Sequence, residues 1–538
     1  MSRWKNLLVP VGLLAAVLLV YAALPLGTSI EMGGDEGFEL MKPVLCNHGF
    51  SLYKQIWNDQ PPLFSKLLAW SMNSFGTSAV VPRTLVAGFG LLLFAALYWA
   101  AAQRSGPWCG LLAAFFLAAS PGILLLSASV MQEVPTFALA MLSVPLLFQY
   151  YRTDGRWMWL VASGIVLGLA LQIKFTAALV MPAILLEIIF GPPRQSLNQL
   201  NRRTGMGAKI PDASPAPGSS RLTGSVGLLG VDWGKARQMR RMLFDATAWV
   251  FSAAAAFLVV YVLFGQGSFE TSKSTHLLAG IVPTADTFSK GPNDFPLSWS
   301  LFWDHIECVA AALVGILAVF FRKRMRELAF PITLLLTVLP IHLLHRPWWP
   351  YYYLHIAIPL AWLSAFAVTE GVVVASRLLS TRPFDFFSLT TWKAFGLCGL
   401  IGLVLVRSEL RLEASVREMR ERPTINHPLI RKMREYAGGT HWVYAERGIF
   451  VFQAGLLTPP ELAVVSPKRF WSGQITTPQI IEICKRYGTE QILLNLPIAR
   501  AEWREYLKDD FVPVWQDDKF ILYVAKKVAA GNFVPPGH

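Results

Sequence analysis

The feature that most constrains this chain is a series of apolar segments, each about as long as a bilayer is thick. In lipid, backbone N–H and C=O groups find no water, so such segments are expected to form helices of about 20 residues. We therefore predict a mainly α, polytopic membrane protein with about eleven transmembrane helices. The segments lie near residues 7–26, 84–102, 108–128, 134–151, 157–174, 176–191, 246–265, 303–321, 328–345, 354–376 and 392–406.

The composition agrees with this prediction. Of the 538 residues, 54% are hydrophobic and only 15% are charged, whereas a soluble protein has about 25% charged residues. The formal net charge of +14 does not point to nucleic acid, because membrane proteins collect Lys and Arg on the cytoplasmic side. We expect membrane lipid and no nucleic acid among the partners.

The distribution of basic residues predicts the topology. With a cytoplasmic N-terminus, the basic residues gather in alternate loops, as the positive-inside rule requires. This places 192–245 inside the cell and places 27–82 and 266–302 on the outer face of the plasma (inner) membrane. The inside loop contains 204–230, which is rich in Gly, Pro and Ser and is expected to be mostly disordered.

Residues 1–406 are predicted to form the membrane domain, and 407–538 a soluble α/β domain on the periplasmic or extracellular face. Asn426 is expected to cap a helix over 428–439, and a second helix should begin at Thr477-Pro478 and end at Gly488. We expect this domain to cover a site in the membrane domain or to guide an acceptor. Strands are predicted at 441–446, 461–466, 490–496, 511–515 and 519–525, the last two as a hairpin.

Charged side chains at the outer ends of several spans are the candidates for chemistry, because ionisable residues are costly near lipid and usually functional. If the helices pack compactly, these side chains can meet in one cavity. There a carboxylate could take a proton from an acceptor hydroxyl, and cations could stabilise a departing phosphate. The candidates are Asp35, Glu36, Arg83, Glu133, Lys174, His345 and Arg346.

Several motifs in this order resemble the GT-C glycosyltransferases, in the bacterial branch related to protein O-mannosyltransferases and lipid A aminoarabinose transferases. The resemblance covers roughly residues 1–410, and the combined order is more specific than any single motif. The matching segments are 34-GDE-36, 57-WNDQPPLFSKLLAW-70, Arg83, 131-MQEVPT-136, 172-QIKFT-176 and 350-PYYYLHIAIPL-360.

The resemblance implies an inverting transferase that uses a polyprenyl-phosphate sugar, with Asp35 as the base. Glu36 and Glu133 would assist through hydrogen bonds, acceptor positioning or ion coordination. Relatives use a divalent cation held by such carboxylates or none, so this cofactor is left open. The implied contacts of the phosphate and its carrier are Arg83, Lys174, His345, Arg346, Tyr351, Tyr352 and Tyr353.

The first outer loop departs from the pattern. Gln60 stands before Pro61-Pro62. At this position the aminoarabinose transferases have Lys and the mannosyltransferases have His. A neutral amide cannot replace a cation at a phosphate, so Gln60 contributes only polar substrate contacts and another residue must carry the charge. Nearby, Asp59 is expected to have a structural role, with Trp57 facing lipid.

Alternatives stay open at this point. Glu133 could cap a helix, Lys174 could extend to the interface, and the 345–353 cluster could be an interfacial aromatic belt. A transporter or flippase of a lipid-linked substrate is the alternative function. It is disfavoured because no internal repeat is visible and the charges lie at helix ends. The acceptor could be a protein, a lipid or a glycan.

Overall fold

The computed structural model describes residues 11–12, 15–153, 155–190, 233–278, 292–321, 324–380, 388–497 and 501–531. Within these ranges the chain forms a bundle of apolar helices and a smaller α/β domain with one four-stranded sheet. The predicted mainly α membrane architecture with a C-terminal α/β domain is confirmed. The predicted linker 204–230 lies outside the described residues.

In the described part of the chain, ten apolar helices match predicted spans, so the chain is a multi-pass membrane protein. Residues 15–22 are also helical and belong to the first predicted span. The number of helices that cross the bilayer stays a prediction. Among the residues that the structure describes, five helical stretches are long and apolar enough to cross: Val80–Ser105, Glu133–Arg152, Gln238–Phe264, Pro350–Ser380 and Leu389–Arg420. Five shorter apolar stretches are Pro107–Ala118, Trp157–Leu171, Phe175–Phe190, Ile306–Phe321 and Ala329–Leu344.

The span predicted at 108–128 is interrupted. One helix covers Pro107–Ala118 and a short second helix covers Ile123–Ala128. Between them stands Pro121, which has no N–H to donate, followed by Gly122 in the left-handed conformation with φ 72°. The break turns the chain at the end of the bundle, shortly before the connection 129–132 that leads into the Glu133–Arg152 helix. We call this connection the second outer loop, after its predicted location.

The segments predicted to lie on the outer side contain further helices. Glu36–Asn47 and Leu63–Phe75 follow the first apolar segment, and Ser268–Leu278 and Ser300–Asp304 lie in the predicted outer loop 266–302. On the predicted inner side, a helix over Trp233–Phe264 begins within the 192–245 loop. Short 3₁₀ turns cover Phe175–Val180, Pro292–Asp294, Met325–Glu327 and Pro350–Tyr352, the last leading into the Tyr353–Ser380 helix.

The C-terminal domain contains strands β1 (Val443–Ala445), β2 (Gln491–Asn495), β3 (Phe511–Gln516) and β4 (Phe520–Ala525), in the order β1-β2-β4-β3. β1 and β2 are parallel, and β3 and β4 form the predicted hairpin. The helices of this domain are Pro428–Glu435, Gly448–Ala454, Pro467–Trp471, Thr477–Tyr487, Ala501–Asp510 and Lys526–Ala529, with 3₁₀ turns at Ala437–Gly439 and Pro460–Leu462.

Two local predictions for this domain are wrong. The helix after residue 427 is capped by His427, whose ring accepts a hydrogen bond from Leu429 N, and not by Asn426. The strand predicted at 461–466 is absent, because a 3₁₀ turn ends at Leu462 and irregular chain leads from there to the short Pro467–Trp471 helix. Its flanking prolines cannot donate to a strand ladder. By contrast, the Thr477–Tyr487 helix ends at a left-handed Gly488, as predicted.

The C-terminal domain, which we call the outer domain after its predicted location, packs against the predicted first outer loop, 27–82. Ile30 N donates to Pro423 O and Ile425 N to Thr28 O, both at 2.9 Å. Gly37 approaches so closely that a Cβ there would lie 2.5 Å from Ile449 N. The connecting helix, Leu389–Arg420, continues beyond the predicted domain boundary at 406. The two parts are therefore in direct contact at the end of the bundle that carries the candidate residues.

Candidate active site

A cavity lies between the membrane helices and the outer domain. About 880 Å³ of it is free of protein atoms, part of this open to solvent. Four carboxylates and three lysines line it, so charge of both signs faces one small volume. The lining residues are Asp35, Phe38, Glu39, Lys42, Trp57, Asp59, Gln60, Met131, Gln132, Glu133, Lys174, Trp349, Tyr351, Val464, Ser466, Pro467 and Lys468.

Asp35 occupies the position immediately before the Glu36–Asn47 helix. The preceding Gly33 allows the chain to pass close to the second outer loop, since a Cβ there would lie 2.5 Å from Met131 Sδ. Asp35 is half-buried and its carboxylate makes no capping bond to its own helix. Among the cavity carboxylates that the structure describes, it alone has no side-chain hydrogen bond or ion pair.

The environment favours the protonated form of Asp35. Burial raises its pKa to about 6, and the negative charges of Glu133 and Glu39 act in the same direction. The ammonium groups of Lys174 and Lys468 oppose this rise. The carboxylate is therefore a stronger base than an ordinary aspartate but still mostly ionised at neutral pH.

Glu36 has a different environment from its neighbour. It is fully buried and receives two hydrogen bonds from Arg83, each of 2.9 Å. The backbone N–H groups of Met32 and Val130 also donate to it, at 2.6 and 3.1 Å. Neither Glu36 nor Arg83 lines the cavity.

Arg83 has no free donor directed at a ligand. Besides Glu36, its guanidinium donates to the carbonyl oxygens of Leu26, Ser29 and Ile30, at 2.8, 2.8 and 3.0 Å. These five bonds use all five N–H groups of the side chain. We refer to Glu36 and Arg83 as the buried brace, because they tie the first outer loop to the next span and the second outer loop.

Glu133 and Lys174 form an ion pair within the cavity. Glu133 is the first residue of the Glu133–Arg152 helix, and Lys174 lies in the turn before the Phe175–Val180 3₁₀ helix. The Lys174 ammonium also stands 5.0 Å from the centre of the Tyr351 ring and 5.3 Å from that of Tyr352. Aromatic faces attract cations at such distances, so this lysine is held toward the cavity from two sides.

A second lysine is part of a network that the sequence analysis missed. Lys42 Nζ donates to Glu39 Oε1 at 2.8 Å and to Asn58 Oδ1 at 2.9 Å. Gln132 Nε2 donates to both Glu39 oxygens at 3.2 Å. The signal was present as helical spacing, because positions 35, 39 and 42 share one helix face.

The third ion pair links the two domains. Lys468, from the outer domain, lies 3.5 Å from Asp59 Oδ2. Asp59 precedes the Leu63–Phe75 helix and faces the cavity, as does Gln60. Trp57 also faces the cavity and donates from Nε1 to Gln474 Oε1 at 2.7 Å, so the expectation that it faces lipid is wrong.

The aromatic cluster at 345–353 is divided among several environments. Tyr351 lines the cavity. Tyr352 is buried and stacks on His342 at 5.4 Å. Tyr353 is also buried and points elsewhere, its hydroxyl bonded to His305 Nδ1 at 2.9 Å. Consecutive residues of a helical turn point about 100–120° apart, so three adjacent tyrosines cannot all face one cavity.

His345 and Arg346 lie outside the cavity lining. His345 is exposed, and Arg346 Nη1 donates to the carbonyl oxygens of Leu343 and His345 at 3.4 and 3.3 Å. Of the predicted site residues, five line the cavity: Asp35, Gln60, Glu133, Lys174 and Tyr351. Tyr352 lies behind them, against Lys174. The other five lie outside the cavity lining: Glu36, Arg83, His345, Arg346 and Tyr353.

Two groups of side chains could hold a divalent cation, and the charges around each group show whether an ion would fit. His305, Glu307 and Cys308 have ligand atoms within 4.8 Å of one another, the only such group among the described residues. Arg411 pairs with Glu307 there, which places a cation where a metal would bind. In the cavity, lysines pair with Glu39, Asp59 and Glu133, so an ion would fit only if a lysine moved aside.

Comparison with known proteins shows what the chain is similar to. The family model described as dolichyl-phosphate-mannose-protein mannosyltransferase matches residues 59–204. ArnT from Cupriavidus metallidurans, bound to undecaprenyl phosphate, has a TM-score of 0.60 at 13% identity, over 96% of this chain and 98% of that chain. No curated protein sequence matched the chain.

Two structures of the Archaeoglobus fulgidus oligosaccharyltransferase show the same fold. AglB, in complex with an inhibitory peptide and a dolichol-phosphate, has a TM-score of 0.56 at 13% identity, over 94% of this chain and 71% of that chain. The complex with Zn and sulfate has a TM-score of 0.51 at 13% identity, over 92% and 69%. The chain therefore has the GT-C fold of integral membrane glycosyltransferases and, within that class, resembles ArnT and the protein O-mannosyltransferases.

Proposed function

We propose that this protein transfers a sugar from a polyprenyl-phosphate carrier to a hydroxyl group of an envelope acceptor, with inversion at the anomeric carbon. The observation that carries the proposal is the unpaired carboxylate of Asp35, with its raised pKa, in a cavity whose other carboxylates are each paired with a lysine. Such a cavity offers one base and several cations within a single site. The undecaprenyl phosphate and dolichol-phosphate bound by ArnT and AglB support the choice of donor class.

In the proposed reaction, the acceptor oxygen attacks the anomeric carbon while Asp35 takes its proton. The bond between that carbon and the phosphate oxygen breaks, and its electron pair remains on the phosphate. Attack from the face opposite the phosphate inverts the anomeric configuration. The proton passes from Asp35 to water afterwards, which restores the base.

The phosphate gains negative charge as it leaves, and a cation near it lowers the energy of the transition state. Lys174 is suited to this role because Glu133 and the rings of Tyr351 and Tyr352 fix its position. Glu133 then acts by holding the lysine. For Glu36 and Arg83 we propose a structural role in place of direct substrate contact, since their polar groups bond to each other and to the backbone.

The proposed sidedness places the cavity on the outer face of the plasma membrane, with the N-terminus in the cytoplasm. The helices support this arrangement. Val80–Ser105 begins beside the cavity with Arg83 on its first turn and ends with Arg104, which pairs with Glu187. Arg324 pairs with Glu327 and Glu370 between two further spans. The positive-inside rule assigns these ends to the cytoplasm.

The acceptor is a protein, a lipid or a glycan of the envelope, and an experiment in cells can distinguish these three classes. We would compare lipid-linked sugars and envelope glycans by mass spectrometry in cells with and without the protein. Loss of one sugar from an envelope component, together with accumulation of the corresponding polyprenyl-phosphate sugar, is the expected result. Unchanged glycans and unchanged carrier pools would contradict the proposed function.

A further inference from the structure

A segment of the outer domain that precedes the Thr477–Tyr487 helix and overlaps the end of the predicted strand at 461–466 closes one side of the cavity. We call residues 464–474 the roof segment. Val464, Ser466, Pro467 and Lys468 line the cavity from it. The segment contains the short Pro467–Trp471 helix. Its first residue is a proline, which cannot donate a hydrogen bond to a strand ladder.

The roof segment is fixed at three points. Arg469 donates to the carbonyl oxygens of Glu461 and Val464, at 2.8 and 2.7 Å, and its guanidinium lies 5.1 Å from the Trp57 ring centre. Trp471 stacks on Trp349, with ring centres 6.3 Å apart and planes 9° apart. The short helix that carries Lys468, the residue before Arg469, is therefore held in place.

Gln474 provides the third point of attachment. Its Oε1 accepts a hydrogen bond from Trp57 Nε1 at 2.7 Å, and its Nε2 donates to Thr275 at 3.1 Å. The segment is thus attached to the first outer loop and to the Ser268–Leu278 helix as well as to its own domain. Such attachments hold a side chain in place better than a free loop would.

The three cavity lysines differ in how strongly protein groups engage them. Lys42 makes two hydrogen bonds, of 2.8 and 2.9 Å. Lys174 has a close ion pair and two aromatic faces. Among the described residues, Lys468 has one ion pair, with its Nζ 3.5 Å from Asp59 Oδ2, which is longer than a normal hydrogen bond. An ammonium has three N–H donors, so Lys468 has the most capacity left for a ligand.

Lys468 is also charged under working conditions. Burial lowers its pKa, but the negative charge of Asp59 and the nearby Tyr352 hydroxyl outweigh this effect, and the net shift is upward. Asp35 contributes in the same direction and Lys174 against it. Asp35, Asp59 and Lys174 line the same cavity as Lys468, so Lys468 shares the electrostatic environment of the candidate base.

We propose that Lys468 binds the phosphate of the lipid carrier, so that the outer domain supplies one of the cations of the transferase site. The inference rests on the proposed function and extends it: Gln60, which lines the same cavity, is neutral and leaves the phosphate in need of another cation. The site would then be complete only when the outer domain is docked. Lys468 would contact the phosphate directly, with Asp59 positioning the ammonium.

The test measures binding of undecaprenyl phosphate and of undecaprenol, the neutral alcohol of the same chain, to the full-length protein in nanodiscs. The wild type should bind the phosphate at least about tenfold more tightly, a difference of about 1.4 kcal/mol. Lys468→Gln should weaken phosphate binding by roughly 10–100-fold, in the range of a lost charged hydrogen bond. Binding of the alcohol should not change.

Matched variants separate ligand binding from domain docking. Lys468→Arg should retain most of the phosphate preference, and Lys508→Gln, at an exposed lysine of the same domain, should behave as wild type. Asp59→Asn, which removes the partner of Lys468, should bind the phosphate at least as well as wild type. The double variant Asp59→Asn/Lys468→Gln should bind as poorly as Lys468→Gln.

The outcomes are distinguishable. If the double variant recovers wild-type binding, Lys468 only neutralises Asp59 and the inference is overturned. The inference is also overturned if Lys468→Gln keeps the full preference for the phosphate over the alcohol. That result would leave the proposed function unaffected. If the wild type binds the alcohol and the phosphate equally, the proposed function itself fails.

Discussion

Asp35 and Glu36 are adjacent in the chain, but the regions around them are organised in opposite ways. Glu36 belongs to the buried brace, where every polar atom of Arg83 has a protein partner. Asp35 faces an open cavity and has no side-chain partner among the described residues. Adjacent positions at a helix start point about 100° apart, and this angle separates the two environments.

The comparison teaches that a satisfied carboxylate and a reactive one can share a motif. A buried ion pair with complete hydrogen bonding holds its surroundings in one arrangement, because breaking it leaves an uncompensated charge. A carboxylate without a partner keeps its basicity available for a substrate. The buried brace therefore fixes the start of the helix on which the candidate base is presented.

The largest expected effect is on turnover in Asp35→Asn. General-base catalysis contributes about 10²–10⁴-fold, so sugar transfer from a polyprenyl-phosphate donor should fall by that factor while donor binding persists. The measurement is single-turnover transfer in nanodiscs, with donor binding measured separately. Asp518→Asn, at an exposed carboxylate of the outer domain, is the matched control. Transfer at the wild-type rate in Asp35→Asn would remove Asp35 as the base.

The buried brace should respond to substitution through stability. Arg83→Met leaves the Glu36 carboxylate buried without its cation, which costs about 3–5 kcal/mol. We expect a markedly lower thermal unfolding temperature in detergent, together with reduced activity as a consequence. Transfer is measured on the fraction that remains folded.

An exposed ion pair provides the control for this experiment. Arg417 pairs with Glu413 on the surface, and Arg417→Gln should change stability by no more than about 1 kcal/mol. If Arg83→Met were as stable as wild type but inactive, Arg83 would have a direct role at the substrate, as the family resemblance implies. Equal stability with full activity would show that the brace is dispensable.

A smaller effect concerns pH. Asp35 acts as a base only when ionised, and its pKa is about 6. The value of kcat/KM should therefore rise about tenfold per pH unit below about 6 and level off above it. Initial rates over a pH series check this. A flat profile across that range would mean that a group with another pKa limits the reaction.

Stability should show the opposite trend. The Asp35 pKa is higher in the folded than in the unfolded chain, so its contribution to stability is complete below about pH 4 and is lost as the pH rises through about 6. Asn does not ionise, so Asp35→Asn removes the loss of stability that occurs as Asp35 ionises. The difference in unfolding temperature between Asp35→Asn and wild type should become more positive from pH 4 to pH 7. No change with pH would indicate that Asp35 is solvated.

The site was foreseeable only in part. Asp35, Glu133 and Lys174 stand at predicted helix ends, and those ends meet in the structure. Glu39 and Lys42 do not stand out in the sequence, because they form an i,i+3 pair and such pairs are common on ordinary solvated helices. The partnership of Asp59 with Lys468 joins residues of two domains, and no local pattern signals such a contact.

The failed strand prediction has the same cause. Residues 461–466 have the apolar composition of a strand, but prolines flank them, and they form the end of a 3₁₀ turn followed by irregular chain. The next residues form the short Pro467–Trp471 helix, which docks through Trp471 on Trp349. Tertiary packing overrides β-propensity in this way because that propensity itself depends on context. The segment that sequence reasoning assigned to the sheet thus forms a wall of the cavity.

The sequence by itself determined the membrane helices and the presence of the outer α/β domain. A long apolar segment in lipid must satisfy its own backbone, and only a helix does so within one segment. Tertiary structure alone decided which charges face the cavity and which are neutralised in the protein. That choice depends on side-chain directions and on contacts between residues hundreds of positions apart, such as Trp57 with Gln474, and local periodicity contains no information about them.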